Sequence, residues 1–157
     1  MTRWDTLIQQ VNEILQARRL GTLVFARCMW QSDTPPAQLP PKLARWLDVL
    51  SQWMQPAPEK IQLTRTTDHR DVTLLVEFRP SATAVISHVE SRPLAAATSS
   101  VPSATCHHCL GVDLFLLGTQ GAIYLDGTQA DWPHERLAVP DLPAQHPLRL
   151  QVEKVWR

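Results

Sequence analysis

The stretch from residue 72 to residue 127 limits the fold more than any other part of the chain. Val72, Leu74, Val76 and Phe78 occupy every second position, the period of an extended strand with one buried face. A second strand is predicted over 83–91 after the Pro80-Ser81 break, and Gly118-Thr119-Gln120-Gly121 separates two more, over 111–118 and 121–126. Breaks this short join antiparallel neighbours. Residues 60–66 read as a further strand. Alternation of Leu148, Leu150 and Val152 with Arg149, Gln151 and Glu153 predicts a last one over 148–156.

Upstream the period changes. Trp4, Leu7, Ile8, Val11, Ile14 and Leu15 recur at three- and four-residue intervals, which places them on one stripe of a helix. Thr2 and Asp5 have capping-box spacing, and Gly21 is expected to close the helix end in a left-handed conformation. Residues 22–30 carry apolar side chains on both faces and read as a central strand. Pro35, Pro36, Pro40 and Pro41 precede a second helix with Leu43, Trp46, Leu47, Leu50 and Trp53 on its apolar face. Helices early and strands late predict an α+β fold, an open, mostly antiparallel sheet with helices on one face.

The whole chain, 1–157, is expected to form one domain, long enough to bury a core without metal or disulfide support. Residues 92–110 read as a flexible loop and 128–147 as a proline-rich connector pinned by Trp132 and Leu137. Lys plus Arg and Asp plus Glu balance at 15 each, so no overall positive field recommends nucleic acid or an anionic membrane as partner. Residues 1–20 lack the continuous apolar core of a secretory leader, and three cysteines argue against a disulfide framework. A cytoplasmic location is expected.

The order of these elements resembles the C-terminal domain of the glucose-fructose oxidoreductase/inositol dehydrogenase family. The resemblance rests on the step over 15–25, the helix over 43–54, the strands over 71–90 and the run over 112–127, where Gly118-Thr119-Gln120-Gly121 and Asp126-Gly127 stand in the place of that family's Gly-Thr-Lys-Gly-like turn and Asp-Gly. It implies a substrate-side, oligomer-building sheet whose relatives pair through it, with NAD(P) held by a separate Rossmann domain. None of the five glycines lies in the Gly-x-Gly-x-x-Gly turn that holds a pyrophosphate. The family's catalytic lysine belongs to the Rossmann domain and has no counterpart here. Where the family's helix presents Asp, His and Asp, this chain has Pro41, Arg45 and Asp48. A guanidinium that stays protonated cannot replace imidazole as an acid or base near neutrality. No catalytic and no cofactor-binding residue is therefore assigned. Trp30, Arg45 and Asp48 are expected to border what remains of the substrate pocket.

Cys106, His107, His108 and Cys109 are the ligand types zinc prefers, although four in succession point alternately and only the two cysteines have Cys-x-x-Cys spacing. Cys28 reads as a small buried hydrophobe and His88 as a hydrogen-bonded sheet histidine rather than a ligand. Leu75, Ile86, Phe115, Leu117, Ile123 and Leu125 are predicted to share the sheet face that the helices leave open, opposite Leu74, Val85, Leu116 and Tyr124. Something must cover such a face. The expected function is a non-catalytic oligomerisation or partner-binding module, a homodimer through this sheet. The alternatives are the substrate-domain subunit of a split oxidoreductase, completed by a Rossmann-domain protein, and a small-ligand or zinc-binding protein.

Overall fold

The computed structural model describes residues 2–55, 57–90, 111–126 and 137–157. Helix α1, Arg3–Gln16, opens on the predicted capping box: the Thr2 hydroxyl accepts from the Asp5 backbone N–H, and the Asp5 carboxylate accepts from the Thr2 N–H at 2.9 Å. The left-handed residue that ends the helix is Arg18, at φ 53°, not Gly21. Gly21 takes its own positive φ of 68° a few residues on, where the chain turns into the sheet.

Strand β1, Leu23–Ser32, leads through a 3-10 turn over Pro36–Gln38 into helix α2, Leu39–Met54. Pro40 and Pro41 sit in the first turn of α2, where a missing N–H costs nothing. Strands β2 (Pro58–Arg65), β3 (Val72–Phe78), β4 (Ala82–Glu90), β5 (Val112–Gly118) and β6 (Ala122–Asp126) complete one sheet, in the order β2-β3-β4-β1-β5-β6. All pairings are antiparallel except β1 with β4. β1 is thus central, as its two apolar faces require.

The last segment departs from the sequence reading. Residues 147–156 form helix α3, Pro147–Trp156, and not a strand. The His146 side chain caps it by accepting from the Leu148 N–H, and Pro147 occupies its first position. Val152 is buried and Leu148, Val155 and Trp156 pack beside it, a stripe at helical spacing, whereas Leu150, which completed the apparent alternation, is 54% exposed. Of the predicted connector, Leu137, Val139 and Leu142 are buried against the core. The expected loop over 92–110, Trp132 and the Cys106–Cys109 cluster lie outside the described residues.

The helices share one face of the sheet. α2 lies over β4 and β1 and packs against α3, which reaches β2. α1 joins α2 through an edge-on contact of Trp4 with Trp46, centroids 4.6 Å apart, and through Trp53 Nε1, which donates to Asn12 Oδ1 at 2.8 Å. Beneath them lie Cys28, Leu74, Ile86, Leu114 and Leu116, all fully buried. Register corrects the predicted open face. Ile86 pairs with Leu74, Ile123 with Leu116 and Leu125 with Leu114, so Ile86, Ile123 and Leu125 belong to the helix-covered side. Leu75, Phe115 and Leu117 do face away from the helices, and Val85 and Tyr124, assigned to the covered side, lie with them as cross-strand partners of Leu75 and Phe115. Parity cannot be carried across a turn whose residue count per strand is unknown, so the slip arose separately at each turn.

Gly118, at the end of β5, tests this packing. A methyl group on its Cα would overlap the carbonyl oxygen of Leu20, whereas one on Gly121 would meet the Arg19 carbonyl oxygen only at 3.4 Å. Gly118→Ala is expected to destabilise the fold by about 1–3 kcal/mol and Gly121→Ala by less than about 0.5 kcal/mol, measured as the change in urea midpoint.

Candidate functional site

At the C-terminal end of β1, where Ser32 still pairs with Glu90, the first turns of α2 and the segment 137–139 close over the strand. Between them lies a cavity of about 200 Å³ lined by Trp30, Ser32, Thr34, Lys42 and Val139 among others. Lys42 holds the cover in place, since its Nζ donates to the Val139 carbonyl at 2.8 Å and to Asp141 Oδ1 at 3.0 Å. The Gln31 N–H donates to the Gly111 carbonyl at 3.1 Å and ties β5 to the same end.

His88, on β4, lies behind that lining, in contact with Trp30 and Ser32. It is the one buried polar side chain among the described residues, 1% exposed, and its ring lies 4.4 Å from that of Trp30. Its Nδ1 is 3.1 Å from the Arg70 carbonyl oxygen, and its Nε2 is 3.0 Å from Ser32 Oγ. A carbonyl oxygen only accepts, so in the neutral ring Nδ1 carries the proton and Nε2 is an acceptor that competes with Thr34 Oγ1, at 2.8 Å, for the one Ser32 hydroxyl proton. The Ser32 oxygen also receives the Thr34 N–H at 3.2 Å. On the outer rim Arg70 pairs with Glu90 at 3.1 Å, and Asp71 accepts from the Glu90 N–H. His88 is the hydrogen-bonded sheet histidine that its position suggested.

Arg45 and Asp48 do not join Trp30. They lie further along α2, where Arg45 Nη1 reaches Asp48 at 3.4 Å and Nη2 donates to the Asp141 carbonyl. Gln52 donates to the same carboxylate at 3.2 Å, and His146 Nε2 lies 3.8 Å from its other oxygen. Asp48 is therefore held by its own helix and lies beside the residue that caps α3. The cavity residues missed from sequence are Ser32, Thr34 and Lys42. Ser32 and Thr34 follow an apolar strand at two-residue spacing, a common turn signal, and Lys42 stands three residues before Arg45. His146-Pro147 was a legible helix start.

The remaining candidates are placed as follows. Cys28 is fully buried, and burial first, then the charge of Asp113, raises its thiol pKa well above the usual value, which makes it an unreactive core residue. Among the described residues no group of three or more His, Cys, Asp or Glu side chains could hold a metal ion. No helix among them is long and apolar enough to cross a membrane.

Burial is the largest influence on His88 and lowers its pKa below the usual 6.5; the Arg70 carbonyl, Ser32, Asp71 and Glu90 offset part of that effect. As pH falls through 6.5 the unfolded chain takes up a proton that the folded chain refuses. Stability from this group is complete above that value and declines below it. Urea midpoints at a series of pH values are expected to fall more steeply below it in the native sequence than in His88→Gln.

No family model matches this chain, and no curated protein matches it in sequence. Solved structures do match in fold. A probable dehydrogenase from Thermotoga maritima superposes with a TM-score of 0.54 at 14% identity, over 79% of this chain and 39% of that one. An apo scyllo-inositol dehydrogenase from Lactobacillus casei gives 0.53 at 12% identity, over 78% and 37%. A myo-inositol 2-dehydrogenase from Lactobacillus plantarum gives 0.52 at 12% identity, over 78% and 39%. The chain thus spans less than two fifths of each of these three structures. Together with the open sheet and its one-sided helices, this coverage gives the chain the fold of the C-terminal, non-Rossmann part of inositol dehydrogenase-type enzymes.

Proposed function

We propose that this chain is a partner-binding module that pairs with a second copy of itself through its open sheet face and runs no oxidoreductase chemistry on its own. The observation that carries the reading is the uneven chemistry of that face. On β1, β5 and β6 it presents Phe25, Met29, Phe115, Leu117 and Tyr124, with the two phenylalanine rings 6.2 Å apart. Met29, Leu117 and Tyr124 are 36%, 37% and 51% exposed. On β2, β3 and β4 it presents Lys60, Gln62, Thr73, Glu77, Thr83 and Ser87 around Leu75 and Val85, with the Thr73 and Ser87 hydroxyls bonded at 3.0 Å.

The exposed large apolar side chains are therefore concentrated on one half of the face. Contiguous apolar surface of this kind marks association sites. A two-fold interface needs only one patch that complements itself, and the resemblance to pairing oxidoreductase domains carries the same expectation. Arg27 stands in the middle of the apolar half, between Val85 and Phe115 in the cross-strand register, which favours a partner surface carrying a carboxylate.

A second reading has its own support. The cavity at the end of β1, with Lys42 and Ser32 in its wall, lies in a fold shared with dehydrogenases, which suits the substrate-side subunit of a split enzyme. NAD(P)-dependent turnover on adding a Rossmann-domain partner would favour it over the first.

Light scattering across micromolar concentrations is expected to return a dimer for the native sequence. The double variant Leu117→Arg, Tyr124→Arg is expected to be monomeric with unchanged far-ultraviolet circular dichroism. A native chain that stays monomeric throughout this range sinks the reading.

A further inference from the structure

We propose that Ser32 and His88 act as a nucleophile-base pair that accepts acyl groups from small activated esters in the cavity at the end of β1. Three relations are needed for such a pair: a hydroxyl within hydrogen-bond reach of a base, a base held in one tautomer, and open space beside the hydroxyl. All three occur here. Ser32 Oγ lies 3.0 Å from His88 Nε2. The Arg70 carbonyl, 3.1 Å from Nδ1, fixes the proton there and leaves the Nε2 lone pair directed at the serine. Ser32 lines the cavity.

The surroundings suit the task. The Trp30 ring covers one side of the imidazole, and burial keeps the ring neutral and able to accept a proton. Because the Thr34 N–H donates to Ser32 Oγ at 3.2 Å, the serine's own proton is directed elsewhere; Nε2 and the Thr34 hydroxyl, at 2.8 Å, are its two acceptors. Arg70, Asp71 and Glu90 are the charged groups beside the ring, and the two carboxylates raise its proton affinity. Lys42 Nζ uses two of its three N–H groups on Val139 and Asp141, leaving one for a developing oxyanion. About 200 Å³ admits a short acyl group and excludes a long one.

In the first step a bond forms between Ser32 Oγ and the ester carbonyl carbon while the hydroxyl proton passes to Nε2. The ester C–O bond then breaks, and the leaving oxygen departs with that proton. Water, deprotonated by the same imidazole, attacks the acyl-serine and releases the carboxylic acid, restoring the Ser32 hydroxyl. This chemistry is independent of dimer formation, so the two proposals fail separately.

A fluorophosphonate probe tests it, because the serine oxygen displaces fluoride from phosphorus and the adduct is permanent. On the full chain, intact mass and peptide mapping are expected to find one adduct, on Ser32, and none in Ser32→Ala. His88→Gln is expected to slow labelling by about a hundredfold or more, and the native rate is expected to fall as pH drops from about 8 to 5. Absence of an adduct on Ser32 after prolonged exposure to millimolar probe overturns the proposal, as does a labelling rate indifferent to His88→Gln. If that variant does not fold, a flat rate across the same pH range overturns it instead.

Discussion

The seat of α2 across β4 and β1 is the contact on which the rest of the molecule depends. Leu39, Leu43, Trp46, Leu47 and Leu50 are all fully buried on this helix, and each such side chain removed from water contributes on the order of 1.5–3 kcal/mol. The strands below answer with Ala26 and Ala84, paired across β1 and β4 and both fully buried. α1 and α3 then pack against the helix already in place, α1 through Trp4 and Asn12, and α3 with its cap at His146 beside the carboxylate of Asp48. Lys42, in the second turn of α2, reaches the cavity only because this helix lies where it does.

Much of this was legible because short-range signals and burial agreed. The capping box at Thr2 and Asp5, the stripe of α1, the apolar face of α2 and the alternation of β3 each satisfied one period over enough residues to exclude the other. The stretch over 148–156 failed because three alternating apolar residues also fit a helix, and only the tertiary seat of Val152 decides between them. The open face was half legible for a related reason. Alternation tells which residues share a face within a strand, and register between strands is a property of the assembled sheet.

The site was less legible than the fold. The resemblance directed attention to Arg45 and Asp48, positions defined by another chain's catalytic helix, and in this molecule they pair with each other beside the cap of α3. The polar groups at the cavity, Ser32 and Lys42, and His88 behind Ser32, come from residues up to 56 apart, and nothing in the local sequence links them. What brings Ser32 to His88 is the parallel pairing of β1 with β4, which no hairpin makes.

That parallel pair has one more consequence. Along β1, Phe25, Arg27 and Met29 point to the open face, while Ala26, Cys28 and Trp30 point to the core and, at its end, to the cavity. A single ribbon of backbone therefore floors the cavity on one side and carries part of the apolar surface on the other, with adjacent residues serving each. Whatever settles against Met29 presses on the peptide that orients Trp30, and no domain, hinge or relay stands between the two surfaces. The sheet is a shared wall, one strand thick, and its two rooms cannot be furnished independently.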